Sequence, residues 1–200
     1  MRGRAGDLWV FGYGSLMWQP GFEFIARAPA LLRGYHRSFC VYSHEYRGTP
    51  ERPGLVLGLE RGGSCRGVAF LVAAARAADV LAYLDARERP QEIYRRRRVP
   101  IEVHADPAWP APGHEIHHGA KRGVRRVEAH TYVVSRTAPQ YAGRLPPERA
   151  VPLFLQGVGE TGRAWDYLES TVAHLEEMGF HDPRLHDLRA RVRKARGLGA

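Results

Sequence analysis

A loop suited to binding an anion follows the first apolar segment of the chain. Residues 8–18 form an apolar run that breaks at Gly12, Gly14 and Ser15. Glycine has no Cβ atom, so the backbone there can adopt dihedral angles closed to other residues and can lie close against a ligand. Successive amide N–H groups in such a loop can face a carboxylate or an oxyanion. An ordinary glycine turn explains the same pattern, and the spacing alone leaves both interpretations open.

Glu88 is the candidate acid–base residue. Residues 74–89 have helical periodicity, and at about 100° per residue their apolar side chains gather on one arc. The arc comprises Ala77, Val80, Leu81 and Leu84. Glu88 falls on the same arc, in the last turn before Pro90, where burial and the helix dipole both raise the pKa of a carboxyl group. The alternative is that the helix frays and Glu88 pairs with a nearby arginine, and the periodicity does not decide between the two.

Residues 10–18 resemble the opening signature of the ChaC family, the glutathione-specific γ-glutamylcyclotransferases. Further blocks resemble the family in the same order along the chain. These blocks are residues 36–40, 46–50, 54–59, 67–70, 83–88 and 167–168. The resemblance therefore extends over nearly the whole chain.

The resemblance implies an intramolecular acyl transfer that converts glutathione to 5-oxoproline and Cys-Gly, with no metal ion and no cofactor. Glu88 occupies the position of the family's catalytic glutamate and would act first as general base and then as general acid. The glycine loop would hold the glutamyl carboxylate and stabilise the oxyanion through backbone N–H groups. The implied substrate-binding residues are Val10, Phe11, Gly12, Tyr13, Gly14, Ser15, Leu16 and Tyr167.

Some features leave the substrate and the site open. The stretch 90–94 departs from family members that carry glycine there, and it offers Glu92 as a competing carboxylate that lies off the helical arc. Related enzymes that act on other γ-glutamyl amines share a similar loop and glutamate. A noncatalytic module that binds a small anion would also keep the glycine loop, and its function would survive replacement of Glu88 by glutamine.

The pattern of short strands, one inserted helix and a helical tail predicts an α+β fold. The expected architecture is γ-glutamylcyclotransferase-like: a curved mixed β-sheet or barrel with flanking helices and a helical C-terminal segment. A single domain over residues 1–200 is expected from the chain length. Strands are predicted at residues 35–42, 55–59, 67–72, 94–103 and 129–135.

The connections are predicted from turn residues and helix-ending signals. Residues 61–64 contain two glycines and predict a hairpin turn, whereas residues 22–32 predict a turn or an irregular stretch. From residue 146 onward the pattern is helical, with one helix ended by Gly179 and a last helix capped by Asp182.

The charge of the chain is strongly positive but poorly suited to nucleic acid. The formal net charge is +9, yet only Lys121 and Lys194 are lysines, and the arginines are scattered. The one dense run is 95–98, and in a strand its members alternate between two faces, which predicts a solvated edge or local ion pairs. We therefore expect a small-molecule substrate and no nucleic-acid partner.

Cysteine usage and hydropathy predict a soluble cytoplasmic protein. Cys40 and Cys65 have no metal-ligand or redox spacing, which favours reduced thiols. No apolar run reaches the ~18 residues that a membrane span needs, and no targeting segment is recognisable. The sequence does not indicate an oligomeric state.

Two motifs match known patterns but lack the required context. Residues 114–118 match the zinc-protease pattern, which needs a helix, but prolines and glycines surround them. Residues 157–162 match the dinucleotide glycine pattern, but too little chain remains for a second strand, so these glycines predict a flexible entry to the next helix. Residues 104–126, rich in proline, glycine and histidine, receive no role.

Overall fold

A computed structural model describes residues 6–88, 93–105 and 123–198. Five strands form a closed barrel in the order β1-β3-β2-β4-β5. The strands are β1 (Leu8–Gly12), β2 (Ala26–Ser43), β3 (Gly54–Val72), β4 (Tyr94–Ala105) and β5 (Gly123–Val134). The helices within the described residues are α1 (Ala77–Glu88), α2 (Pro147–Gln156), α3 (Ala164–Glu177) and α4 (Pro183–Ala195). The predicted α+β fold, with a mixed barrel and a helical C-terminal segment, is confirmed.

The chain divides into two compact units. The first comprises Met1–Arg37 and Leu59–Ser135, and the second comprises Ser38–Gly58 and Arg136–Ala200. Strands β2 and β3 each contribute residues to both units, since the divisions fall within them. The single domain expected from the chain length stays a prediction.

In the first unit, the short strand β1 lies between two partners. It pairs with β3 in antiparallel orientation, with Val10 opposite Phe70, and with β5 in parallel orientation, with Val10 opposite His130. All five β1 residues are buried, because the strand has neighbours on both edges. The buried aromatic side chains of Phe11 and Phe70 belong to this core. The strand that delivers the glycine loop is thus held on both sides.

The hairpin predicted at residues 61–64 is wrong. Strand β3 continues without reversal from Gly54 to Val72. Gly62 and Gly63 do have positive φ angles of 102° and 69°, and the carbonyl oxygen of Gly62 lies 3.0 Å from His36 Nδ1 in β2. The two glycines disturb the extended backbone locally, as glycines in bulges do, and pairing carries the strand onward.

Three other boundaries differ from the sequence prediction. The stretch predicted as irregular over 22–32 is strand from Ala26, because a long β2 pairs with β4, with Ala30 opposite Val103. The first helix begins as a short 3-10 turn, Ala74–Arg76, and becomes α-helical at Ala77. Strand β5 starts at Gly123, six residues before the predicted start, since it pairs with the whole length of β4.

Gly67 in β3 leaves room for the end of β1. A Cβ atom at this position would collide with the carbonyl oxygen of Gly12 and the ring of Phe11. We expect Gly67→Ala to lower the free energy of unfolding by about 1–3 kcal/mol, because overpacking forces neighbouring backbone to shift. Urea denaturation measures the change. Arg66→Ala, at an exposed neighbouring position, is the control, and an unfolding free energy equal to wild type for Gly67→Ala would contradict the close packing.

In the second unit, three helices share an apolar core. Phe154 of α2 and Leu168 and Leu175 of α3 are fully buried, and the ring of Phe39 meets that of Phe154 edge to face at 4.9 Å. Gly179, with φ of 70°, follows the end of α3 as predicted. The core therefore follows the helical periodicity of the sequence.

Two details of the second unit correct the sequence prediction. Asp182 does precede α4, but its side chain makes no capping hydrogen bond. The glycines predicted to form a flexible entry instead form a small antiparallel hairpin, β6 (Val158–Gly159) and β7 (Gly162–Arg163). Backbone bonds from Glu160 N to Glu45 O (2.9 Å) and from Thr161 N to Tyr46 O (3.0 Å) hold it.

The zinc-protease pattern at 114–118 and most of the segment 104–126 lie outside the described residues. The same holds for Glu92 and for Pro90. Within the ranges that are described, no helix has both the length and the hydropathy required to cross a membrane.

Candidate active site

The glycine loop leaves β1 at Gly12 and enters a 3-10 helix, Ser15–Met17. Neither Gly12 nor Gly14 has a positive φ angle; the φ of Gly14 is −127°. Gly14 combines this φ with a ψ of −139°, which lies outside the main regions open to residues with a Cβ atom. The predicted unusual dihedral angles are therefore present at Gly14. At Gly12 glycine is favoured by space, because an added Cβ would lie 3.3 Å from the Cβ of Leu16. The loop is compact, and its first turn folds back on the end of the strand.

Three consecutive amides of this loop carry no internal hydrogen bond. Met17 N donates to Gly14 O at 2.9 Å, and Trp18 N and Gln19 N both donate to Ser15 O. The N–H groups of Gly14, Ser15 and Leu16 have no such acceptor within the described part of the chain. Free backbone donors next to each other are the requirement for holding a carboxylate or an oxyanion.

The side chains of the loop are mostly covered. Val10 and Phe11 are fully buried core residues, and the Phe11 carbonyl accepts a 3.0 Å hydrogen bond from Thr131 Oγ1. Tyr13 and Leu16 are also buried, whereas Ser15 is half-buried. Among the predicted loop residues, Ser15 has a side-chain hydroxyl that is linked to the candidate acid–base residue through Arg87.

Glu88 ends α1 on its inner face. Val80 and Leu84 of the same arc are buried, as the periodicity predicts, and the side chain of Glu88 keeps 22% of its surface exposed. Burial raises the pKa of the Glu88 carboxyl group, and the neighbouring Arg87 lowers it by a smaller amount, so the pKa lies above its ordinary value. Such a carboxylate is suited to accepting and returning a proton near neutral pH.

Arg87 links Glu88 to the glycine loop. Its Nε lies 3.2 Å from Glu88 Oε1, and its Nη2 donates to Ser15 Oγ at 3.2 Å. The Nε and Nη2 atoms form one edge of the planar guanidinium. Arg87 therefore contacts both the predicted acid–base residue and the predicted anion loop.

The other nitrogen of Arg87 is held by the segment that follows the loop. Its Nη1 donates to Gln19 O at 2.7 Å, to Pro20 O at 3.3 Å and to Tyr83 Oη at 3.1 Å. The guanidinium is thus fixed on both sides. The sequence alternative of a nearby arginine paired with Glu88 is seen in Arg87, but the link from that arginine to the loop was missed. The available signal was an arginine directly before the candidate glutamate and one turn after a tyrosine.

Asp85, one turn before Glu88, anchors α1 to the barrel. Its Oδ2 pairs with Arg96 Nη1 of β4 at 2.8 Å, and its Oδ1 accepts from Tyr132 Oη of β5 at 2.8 Å. Burial and the Asp85 carboxylate together raise the pKa of Tyr132, which keeps its hydroxyl protonated as a donor. This cluster sets the position of the helix that carries Glu88.

We expect Asp85→Asn to lower the free energy of unfolding by about 1–2 kcal/mol, since it converts a half-exposed ionic interaction to a neutral one. Thermal unfolding and kcat should be measured on the same preparation. Tyr132→Phe is the matched control, because it removes one hydrogen bond and leaves the ion pair with Arg96. Equal stability of wild type and Asp85→Asn would show that the cluster does not anchor α1.

The arginine run 95–98 shows the predicted local ion pair and solvated side chains, although its exposure does not alternate strictly. Arg96 is half-buried in its ion pair with Asp85, whereas Arg95, Arg97 and Arg98 are exposed. The run forms a local ion pair and a solvated surface. His130, opposite Arg98 in β5, has its pKa lowered by burial first and by Arg96 and Arg98 second, which favours the neutral ring.

Tyr167 belongs to the second unit, on α3. Its ring meets the ring of Phe39 edge to face at 5.9 Å, and the Arg47 guanidinium lies 5.3 Å from its centroid. Arg47 Nη1 also donates to Arg163 O at 3.3 Å. The tyrosine ring is thus positioned by an aromatic residue and a cation.

Histidine, cysteine and carboxylate side chains nowhere converge in groups of three that could hold a metal ion, so far as the described residues extend. Cys40 and Cys65 are both buried, and neither forms a disulfide within the described residues. The groups that the structure brings together at the candidate site are a carboxylate, a guanidinium, a hydroxyl and backbone amides.

The sequence is similar to known proteins over most of its length. The sequence model of the family described as "ChaC-like protein" matches residues 8–195. The Escherichia coli protein named "Glutathione-specific gamma-glutamylcyclotransferase" is 31% identical over 189 residues, covering 94% of this chain and 74% of that protein. "Gamma-glutamylcyclotransferase 2-3" of Arabidopsis thaliana is 31% identical over 192 residues, covering 93% and 88%.

Among solved structures, the crystal structure of a yeast gamma-glutamyl cyclotransferase specific to glutathione is similar in fold. The TM-score is 0.78 at 22% sequence identity, and the match covers 94% of this chain and 96% of the yeast chain. At that identity the likeness establishes the barrel and its helices.

Proposed function

Since this chain belongs to the ChaC-like protein family, we propose that it is a γ-glutamylcyclotransferase that releases 5-oxoproline and Cys-Gly from glutathione. The observation that carries the proposal is the contact of a single arginine, Arg87, with both Glu88 and Ser15. That contact joins a carboxylate of raised pKa to a loop with free amide donors. Relatives named as glutathione-specific enzymes, at about the same identity in different organisms, support the choice of substrate.

The reaction needs one residue that moves a proton. The neutral α-amine of the glutamyl group attacks its own γ-carbonyl carbon and passes a proton to the Glu88 carboxylate. A five-membered ring closes and the carbonyl oxygen becomes an oxyanion. Protonated Glu88 then gives the proton to the cysteine nitrogen, the C–N bond breaks, and Glu88 is again a carboxylate. No water is consumed, and atoms and charges balance.

The protein must also hold a flexible substrate in its ring-closing shape. In our proposal, the amides of Gly14, Ser15 and Leu16 hold the glutamyl carboxylate and oppose the charge of the oxyanion. Placing the amine against the carbonyl can lower the barrier by several kcal/mol, through the proximity effect. The raised pKa of Glu88 suits a residue that must be base and acid in the same cycle.

Tyr167 is proposed as a further substrate-binding residue. The support is the family resemblance at 167–168 and the fixed position of its ring beside Phe39 and Arg47. The cytoplasm is proposed as the location, on the resemblance and on the spacing of the two cysteines.

The test is 5-oxoproline release from glutathione by the purified protein, with and without a chelator. We expect release that the chelator does not change, with Cys-Gly in equal amount. If glutathione yields no product, a panel of γ-glutamyl amines and amino acids distinguishes a cyclotransferase of other specificity from a noncatalytic module that binds small anions. If another compound of the panel is turned over and glutathione is not, the proposed reaction stands and the proposed substrate is wrong.

A further inference from the structure

Arg37 of β2 lies beneath the glycine loop, in the same compact unit. Its side chain is almost completely covered, with 5% of the residue exposed. Its Nε donates to the Tyr13 carbonyl oxygen at 2.8 Å, and its Nη2 contacts the Arg66 carbonyl oxygen and Met17 Sδ, the latter at 3.9 Å. One buried guanidinium therefore contacts the loop at two places and ties it to β3.

The bond to Tyr13 fixes the direction of the next amide. A trans peptide is planar, so its C=O and N–H groups point in opposite directions, and the described chain has no cis peptide. Because Tyr13 O points toward Arg37, the N–H of Gly14 points away from Arg37. By the same reasoning, the bond from Met17 N to Gly14 O fixes the direction of the Ser15 N–H group. The two bonds that Ser15 O accepts fix the direction of the Leu16 N–H group.

The constraint on the Gly14 amide comes from Arg37 of β2, whereas the constraints on the next two amides come from the loop itself. The carbonyls of Gly14 and Ser15 are held by amides of the loop's own turn, Met17, Trp18 and Gln19. The Tyr13 carbonyl precedes that turn. Its oxygen accepts a hydrogen bond from the Arg37 side chain. Without Arg37 the first of the three donors loses this constraint, whereas the other two keep theirs.

We propose that Arg37 is a positioning residue that orients the Gly14 amide toward the substrate's glutamyl α-carboxylate and thereby sets the preference for that carboxylate. The inference rests on the proposed function and deepens it. Hydrogen bonds to an ionised acceptor are shorter and stronger than those to a neutral one, so a well-oriented amide discriminates a carboxylate from a carboxamide. Arg37 itself does not touch the reacting atoms.

The experiment measures equilibrium binding, which does not depend on turnover. Calorimetry in the Glu88→Gln background compares glutathione with an analogue whose glutamyl α-carboxylate is a carboxamide. We expect Arg37→Met to reduce the preference for glutathione about tenfold to a hundredfold, the range for hydrogen bonds involving a charged group. Arg33→Met, which removes an arginine 68% exposed on the same strand, is the control and should leave the preference unchanged.

The outcomes are separable. A drop of equal size for both ligands would mean that Arg37 only supports the fold, and an unchanged preference would mean that it does not orient the amide; either result overturns the proposal. If the preference is unchanged but kcat falls in the Glu88-containing protein, the Gly14 amide faces the oxyanion, which also overturns it. If the wild-type protein turns over no γ-glutamyl compound, the proposed function is wrong. The binding comparison would still test whether Arg37 orients the Gly14 amide.

A second measurement covers the case in which Arg37→Met does not fold. Arg37→Lys keeps a donor but has only one nitrogen for the carbonyls of Tyr13 and Arg66. In ¹⁵N-labelled protein, we expect glutathione to shift the Gly14 amide resonance in the arginine protein and to shift it less in Arg37→Lys. An equal shift in both proteins, or no shift in either, would contradict the positioning role.

Discussion

Replacing Glu88 by glutamine is expected to lower kcat for 5-oxoproline release by about 10²–10⁴-fold, the usual contribution of general acid–base catalysis. Glutamine keeps the size of the side chain and an oxygen that can accept from Arg87 Nε, now 3.2 Å from the carboxylate. It cannot take a proton from the α-amine. KM should therefore change little while kcat falls, and steady-state kinetics on glutathione separates the two.

Two controls exclude a folding defect as the cause. Glu128→Gln changes an exposed carboxylate on β5 and should retain full activity. The pKa of Glu88 is raised in the folded state, so its contribution to stability is complete at low pH and is lost as pH rises through the folded pKa. Glu88→Gln should thus unfold no more easily than wild type at neutral pH. A variant with wild-type kcat would remove Glu88 from the mechanism.

Arg87→Gln is expected to shift the acidic limb of the kcat profile to higher pH. Burial raises the pKa of Glu88, and the Arg87 charge is the force that opposes this rise. Without that charge, Glu88 stays protonated to higher pH and cannot act as base. We expect roughly a tenfold loss of kcat at neutral pH, in keeping with the loss of a hydrogen bond to a charged group, with partial recovery in alkaline buffer.

Arg87→Lys is the matched variant for that experiment. Lysine keeps the positive charge but lacks the planar edge that contacts Glu88 and Ser15 together. Its acidic limb should stay near that of wild type while its kcat falls at every pH. If Arg87→Gln lowers kcat equally at all pH values, Arg87 holds the loop in place without tuning the carboxylate.

Local sequence patterns predicted the parts of the site that depend on local geometry. Val80, Leu84 and Glu88 share one helical face because the period of the α-helix fixes it, and the burial of the two apolar residues agrees with that period. The anion loop was predicted from glycines next to a buried strand. Its free amides are observed, although the reason for glycine at position 12 is close packing and not dihedral freedom.

Long-range contacts were beyond sequence reasoning. The bonds of Arg87 to Ser15 and Gln19 join residues about seventy positions apart, and nothing in the local sequence distinguishes this arginine from others in an arginine-rich chain. The hairpin predicted at Gly62 and Gly63 failed for the same reason. Both glycines have positive φ angles, but pairing with neighbouring strands decides whether the chain reverses.

The parallel contact between β1 and β5 has a consequence for the order of events during synthesis. Val10 pairs with His130, so the barrel can close only after the ribosome has made more than half of the chain. Pairings between distant segments carry a high entropic cost and form slowly. The segment that would hold the substrate's anion is synthesised well before β5, and its own strand, β1, is enclosed only after β5 has been made.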